Sequence, residues 1–161
     1  MAPFELGGTG PDFALFQNGP VSLFHREEVL DDTLSLLADL GYLVRRFDAR
    51  AWTDKADFAA AVKEGLGFPE YFGGNLDAFS DCLRDVAVGT GRDAAGLVLV
   101  FTGYDAFAVR EPRTAAAVLD IVADVARFAM LFGHRLACLV QSDDRELRFG
   151  PVGATAVGPQ S

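Results

Sequence analysis

The chain has 161 residues, 50% of them hydrophobic and 23% charged, which supports a packed core and excludes bulk disorder. Its formal net charge of -9 and pI of about 4.5 disfavour nucleic acid or an anionic membrane as a direct partner; they suit a basic protein partner, or serve solubility alone. No uncharged apolar run approaches the ~18 residues of a membrane-spanning helix.

Residues 1 to 11 hold Pro3, Gly7, Gly8, Gly10 and Pro11 and read as a loose arm. Phe13 to Phe16 and Val21 to Phe24 predict two short strands around the turn Asn18-Gly19-Pro20. Val29, Leu30, Thr33, Leu34, Leu36, Leu37 and Leu40 then recur at helical spacing, with Gly41 as the stop. Tyr42 to Phe47 predicts the next strand, so residues 21–47 have the form of a βαβ unit and imply parallel pairing of its strands. Arg45-Arg46 interrupts that strand, and one of the two must face outward or sit at the sheet end.

Thr53 or Asp54 caps a second helix with the apolar stripe Phe58, Ala59, Val62, Leu66, weakened at its end by Gly65 and Gly67. Then comes Pro69-Glu70-Tyr71-Phe72-Gly73-Gly74-Asn75-Leu76-Asp77-Ala78-Phe79-Ser80-Asp81-Cys82-Leu83, a tight loop feeding a helix with Asn75 as its N-cap. On a helical wheel Leu76, Phe79, Cys82, Leu83 and Val86 share one arc, and Asp77, Asp81, Arg84 and Asp85 lie opposite. Three aspartates at i, i+4, i+8 repel mildly; an acidic helix face is by default a solvated one.

Val88 to Ala95 reads as a connection, Gly96 to Phe101 as a strand buried on both faces, and Gly103 to Phe107 as a loop at its end. Pro112 opens a helix whose stripe is Val118, Leu119, Val122, Val125, Ala126 and Ala129, with Gly133 as its end. Arg135 to Gln141 predicts a last buried strand, and from Phe149 the tail is irregular or weakly extended. Alternating strands and helices imply an α/β fold with a mainly parallel sheet flanked by helices.

Motifs of catalysis are missing: no G-x-G-x-x-G after a strand, no G-x-x-x-x-G-K-[ST], no G-x-S-x-G and no H-E-x-x-H. His25 and His134, the only histidines, read as structural or exposed. Cys82 and Cys138 are expected free and buried, and the N-terminus shows no basic region followed by an apolar stretch, so a cytoplasmic location is expected. One enzymatic alternative is a carboxylate cluster of Asp77, Asp81 and Asp124 holding Mg²⁺ for phosphoryl transfer.

The stretch from Pro69 to Leu83 resembles the signature of the barstar family, intracellular inhibitors of the ribonuclease barnase. The resemblance is most specific over Leu66 to Leu83 and extends from Tyr42 to Gln141. It implies a single barstar-like domain over 1–161, with an N-terminal strand/helix extension at 1–41, a core at 42–141 and an irregular tail at 142–161. It implies an inhibitor that needs no cofactor and no metal, monomeric when free, whose acidic helix and preceding loop plug the active site of a basic extracellular-type ribonuclease. Carboxylates there stand in for substrate phosphate.

By position, the resemblance assigns Tyr71 to the loop tyrosine that stacks over the nuclease site and Gly73 to the loop glycine whose backbone contacts it. Asn75 belongs to the same loop. Asp77 and Asp81 match the two helix aspartates, Asp81 entering the phosphate subsite, and Asp124 matches an acidic contact on the long helix. Two departures bear on the target. Ser80 stands where barstar has tryptophan, and Gly74 replaces an acidic loop residue, so a partner other than barnase is expected. A barstar-like interaction module with a non-nuclease partner is the second reading.

Overall fold

Strand composition decides strand position in this sheet. The computed structural model of the protein describes residues 19–90 and 93–146, and the backbone of 159–160. Strands β1 (Val21–Phe24), β2 (Leu43–Asp48), β3 (Leu97–Thr102), β4 (Leu136–Gln141) and β5 (Pro159–Gln160) form one parallel sheet in the order β2-β3-β4-β1-β5. β3 and β4 are buried at every residue and lie inside. β2, with Arg45 and Arg46, lies at an edge, where its unpaired side and its charged side chains reach water.

The helices are α1 (Glu27–Asp39), α2 (Lys55–Leu66), α3 (Leu76–Thr90), α4 (Tyr104–Arg110) and α5 (Pro112–Met130), with a 3-10 turn at Ala49–Ala51. The sheet carries α1 on one face and the other four on the opposite face. Val98 and Val100 of β3 pack with Leu30, Leu34 and Leu37 of α1, while Leu97, Leu99 and Phe101 point to the larger core with α2 to α5. The connection from β1 runs across the sheet to its far edge, and the later ones step back towards β1. Right-handed crossovers running in opposite directions must place their helices on opposite faces.

The helix, strand and mainly parallel α/β expectations hold, with four corrections. β1 and β2 are parallel members of one sheet but not partners, because the wholly apolar β3 and β4 take the places between them. The predicted loop after β3 is the helix α4: Gly103 takes a left-handed conformation (φ 62°) and sends Tyr104 and Phe107, one helical turn apart, into the core. Helix α3 continues through Val88 and Gly89 to Thr90, where a connection was expected, since Ala87 is buried and Val86 packs against the core. Gly65 is a packing residue: a Cβ there would lie 2.3 Å from Phe47 Cε1. The first predicted strand, Phe13 to Phe16, and most of the tail lie outside the described residues. Val21 to Asp39, which the resemblance sets apart as an extension, supply β1 and α1 to this same sheet, β1 pairing with β4 along its length.

Candidate protein-binding site

The loop between α2 and α3 is anchored by aromatic rings. Asp54 caps α2 by accepting from the Asp57 N–H (3.0 Å), and the helix ends at Gly67 in the left-handed region (φ 66°). A turn follows in which the Phe72 N–H donates to the Pro69 carbonyl at 2.9 Å. Phe68 and Phe72 are buried with rings 5.0 Å apart, and Phe68 lies 6.2 Å from Phe79 of α3. With both phenylalanines turned inward, Tyr71 is pushed out and stands 81% exposed. Glu70 beside it reaches Lys63 at 3.3 Å.

Gly74 makes the bend into α3 at φ 76°, a conformation that L side chains rarely adopt. Asn75 then caps the helix as expected: its side-chain oxygen accepts from the Ala78 N–H at 2.7 Å. Phe79, Cys82, Leu83 and Ala87 face the core, which leaves Asp77, Asp81 and Asp85 exposed, one turn apart along the opposite side. Ser80 is half-buried and Gly73 exposed. Cys82 and Cys138 are both free and buried. Burial, followed by the carboxylates of Asp85 and Asp81, pushes the Cys82 thiol up from its ordinary range.

Tyr71, Gly73, Asn75, Asp77, Ser80 and Asp81 thus form one continuous strip of loop and helix. Asp124 lies on α5, exposed and ion-paired with Arg127 one turn on. Among the described residues no three His, Cys, Asp or Glu side chains come together to hold a metal ion, so the alternative grouping of Asp77, Asp81 and Asp124 around Mg²⁺ is not formed.

Arg84, expected on the outward arc, turns towards α5 instead. Its guanidinium lies 4.8 Å from the Phe128 ring centroid, and its buried Nε has no hydrogen-bond partner. An open groove of about 580 Å³ runs beside it, lined by Asp81, Asp85 and Val88 of α3, and by Phe128 and Phe132 at the end of α5. Sequence reasoning passed over these phenylalanines. The signal was there: Asp124, Phe128 and Phe132 recur every four residues, off the core stripe of α5.

In open α/β sheets ligands commonly sit at the carboxyl ends of the strands. Here those ends bind one another. Fully buried Gln141 accepts from the Gly103 N–H (2.7 Å) and from Arg50 (3.3 Å) and donates to Asp143 (3.0 Å), while Arg50 also reaches Asp143 at 2.9 Å. These bonds lower the Asp143 carboxyl below its usual range, the Arg50 hydrogen bond most of all. Between β1 and α1 there are only His25 and Arg26, and Glu27 and Glu28 fill the first helical turn. That turn has no glycine-rich cradle, and its charge opposes phosphate.

Fold and strip together define a class: a parallel α/β module whose surface carries an acidic helix and the loop before it. The family model described as barstar (barnase inhibitor) matches residues 42–141, and the chain belongs to the barstar family. No curated protein matches the chain. Among solved structures it is similar to a Walker-type ATPase of Pyrococcus abyssi, at 12% identity and a TM-score of 0.54, over 83% of this chain and 43% of that one. It is also similar to the ORC2 protein of Aeropyrum pernix, solved in ADPNP–ADP complexes, at 16% identity and a TM-score of 0.55, over 83% of this chain and 38% of that one. The chain spans less than half of either, and at these identities the likeness is one of fold.

Proposed function

We propose that this protein is a cytoplasmic, non-enzymatic inhibitor of a basic ribonuclease, an immunity protein that blocks the active site with α3 and its preceding loop. The observation that carries the reading is the strip itself. In a barstar-family chain, Asn75 caps a rigid helix that presents Asp77 and Asp81 to solvent, directly after a loop that holds Tyr71 outward. A ribonuclease site gathers Arg, Lys and His to bind phosphate, and a fixed carboxylate can accept charge-assisted, bidentate hydrogen bonds from them. Holding Asp81 on a helix lowers the ordering cost of binding, and the net charge of -9 speeds encounter with a cationic target.

A non-catalytic role is supported by the mutual satisfaction of the strand ends around Gln141 and by the acidic first turn of α1. Half-buried Ser80 and left-handed Gly74, in place of the family's tryptophan and acidic residue, favour a target whose surface differs from barnase.

The test is ribonuclease inhibition titrated against a panel of small basic ribonucleases, with Asp81→Ala and Asp77→Ala beside the parent. For a nuclease that the parent inhibits, Asp81→Ala should weaken inhibition by about 2 kcal/mol or more, mainly through a faster off-rate. Equal inhibition by parent and Asp81→Ala would remove the assignment. Binding of a basic protein without nuclease inhibition would favour the interaction-module reading.

A further inference from the structure

Large apolar side chains exposed at the surface are scattered singly among the described residues, with one exception. Met130, Leu131 and Phe132 are consecutive at the end of α5 and 68%, 83% and 58% exposed. Phe132, the last of the run, lines the groove between α3 and α5. On the α3 wall, Asp81 and Asp85 are one turn apart and exposed, and among the described residues neither carboxylate has an ion-pair or hydrogen-bond partner. The α5 wall is aromatic, the Phe128 and Phe132 rings lying 5.1 Å apart.

Arg84 shows what this aromatic wall holds. Its guanidinium rests on Phe128 and leaves Phe132 open beside the free carboxylates. An aromatic face next to a carboxylate pair is complementary to a planar cation, which stacks on the ring while its N–H groups donate to the oxygens. Arginine supplies that shape and lysine does not. Leu131 and Met130, next to Phe132 in the chain, are exposed and uncharged, an apolar shelf suited to a large apolar side chain next to that arginine. A second copy of this chain is a poor occupant, because it would bring its own acidic face and net charge of -9 against the same rim.

The geometry points to the α3–α5 groove and its apolar shelf as a docking surface for an arginine and an adjoining large apolar residue of the basic partner. This inference rests on the reading of α3 as the partner-binding face and extends that face past Asp81 onto Phe132 and Leu131. It makes the chain selective among basic partners, since net positive charge alone does not fill the shelf.

The experiment uses the full 161-residue chain without any nuclease, so its outcome is separate from that of the inhibition assay. The chain is titrated with N-acetyl-Arg-Leu-amide and followed by NMR at the Asp85 and Gly89 amides and the Phe132 ring. Saturable shifts are expected there, smaller with N-acetyl-Arg-Gly-amide and absent with N-acetyl-Glu-Leu-amide. Phe132→Ser and Asp85→Asn, each with its melting temperature checked against the parent, should each weaken binding about fivefold, the size of one lost cation–π or charge-assisted contact. An equal response to the Arg and Glu peptides, shifts confined to other surfaces, or indifference to both variants would overturn the proposal. So would a concentration-dependent dimer that Phe132→Ser abolishes, which would assign the shelf to a second copy.

Discussion

Gly74 shows how one backbone angle can decide a residue's identity. Its φ of 76° turns the loop into α3, and a Cβ there would meet only Ala59 at 3.8 Å, so conformation and not space excludes a side chain. The loss of an acidic group at this position is therefore tied to the path of the loop. Gly74→Ala should destabilise the protein by about 1 kcal/mol, the cost of a left-handed residue with a Cβ, as a lower urea midpoint with an unchanged slope. Asp81 is the opposite kind of residue. It carries no fold-stabilising bond among the described residues, so its replacement should leave the melting temperature near that of the parent while changing nuclease inhibition.

At the scale of elements, the acidic helix depends on its neighbours. Three aspartates stacked along one face oppose an isolated helix by a few tenths of a kcal/mol per pair. The opposing contributions are the Asn75 cap and the burial of Phe79, Cys82, Leu83 and Ala87. The loop before it is held by Phe68, which packs on Phe79, and by Phe72, which packs on Phe68. Phe72→Ala should destabilise the protein by about 3 kcal/mol and raise amide hydrogen exchange across residues 69–75. Inhibition should fall although every carboxylate is retained, because Tyr71 and Asp77 would no longer be held in one arrangement. Unchanged exchange in that loop would show that the ring anchors do not hold it.

For the whole molecule, charge and burial set the pH range of stability. Asp143 is held low by Arg50 and Gln141, and Asp57 by hydrogen bonds from Thr53. Folded carboxyl groups below their unfolded value of about 3.9 stabilise above that value, and the contribution is lost as the pH falls through the folded values. Cys138 and Tyr104 are pushed up by burial, so their contribution is complete below the unfolded values of about 8.5 and 10 and is lost as the pH rises above them. Melting temperature against pH should therefore show a plateau that falls on both sides, and Asp143→Asn should flatten the acid limb. An acid limb identical in Asp143→Asn and the parent would rule out this origin.

The amino-acid sequence by itself determined the helices α1, α2, α3 and α5, the buried strands, the Asn75 cap and the acidic face of α3, because local spacing and capping chemistry are written within a few residues. The family signature lies in the same short stretch for the same reason. Only the tertiary structure decided that β1 sits beside β4 and not β2, that Gly103 opens a helix, and that α3 runs on through Gly89. Each follows from burial between segments far apart in the chain. The groove is of this kind as well: Arg84 and Asp85 are some forty residues from Phe128 and Phe132, and only the packing of α5 along α3 brings an arginine, two carboxylates and two aromatic rings to one surface.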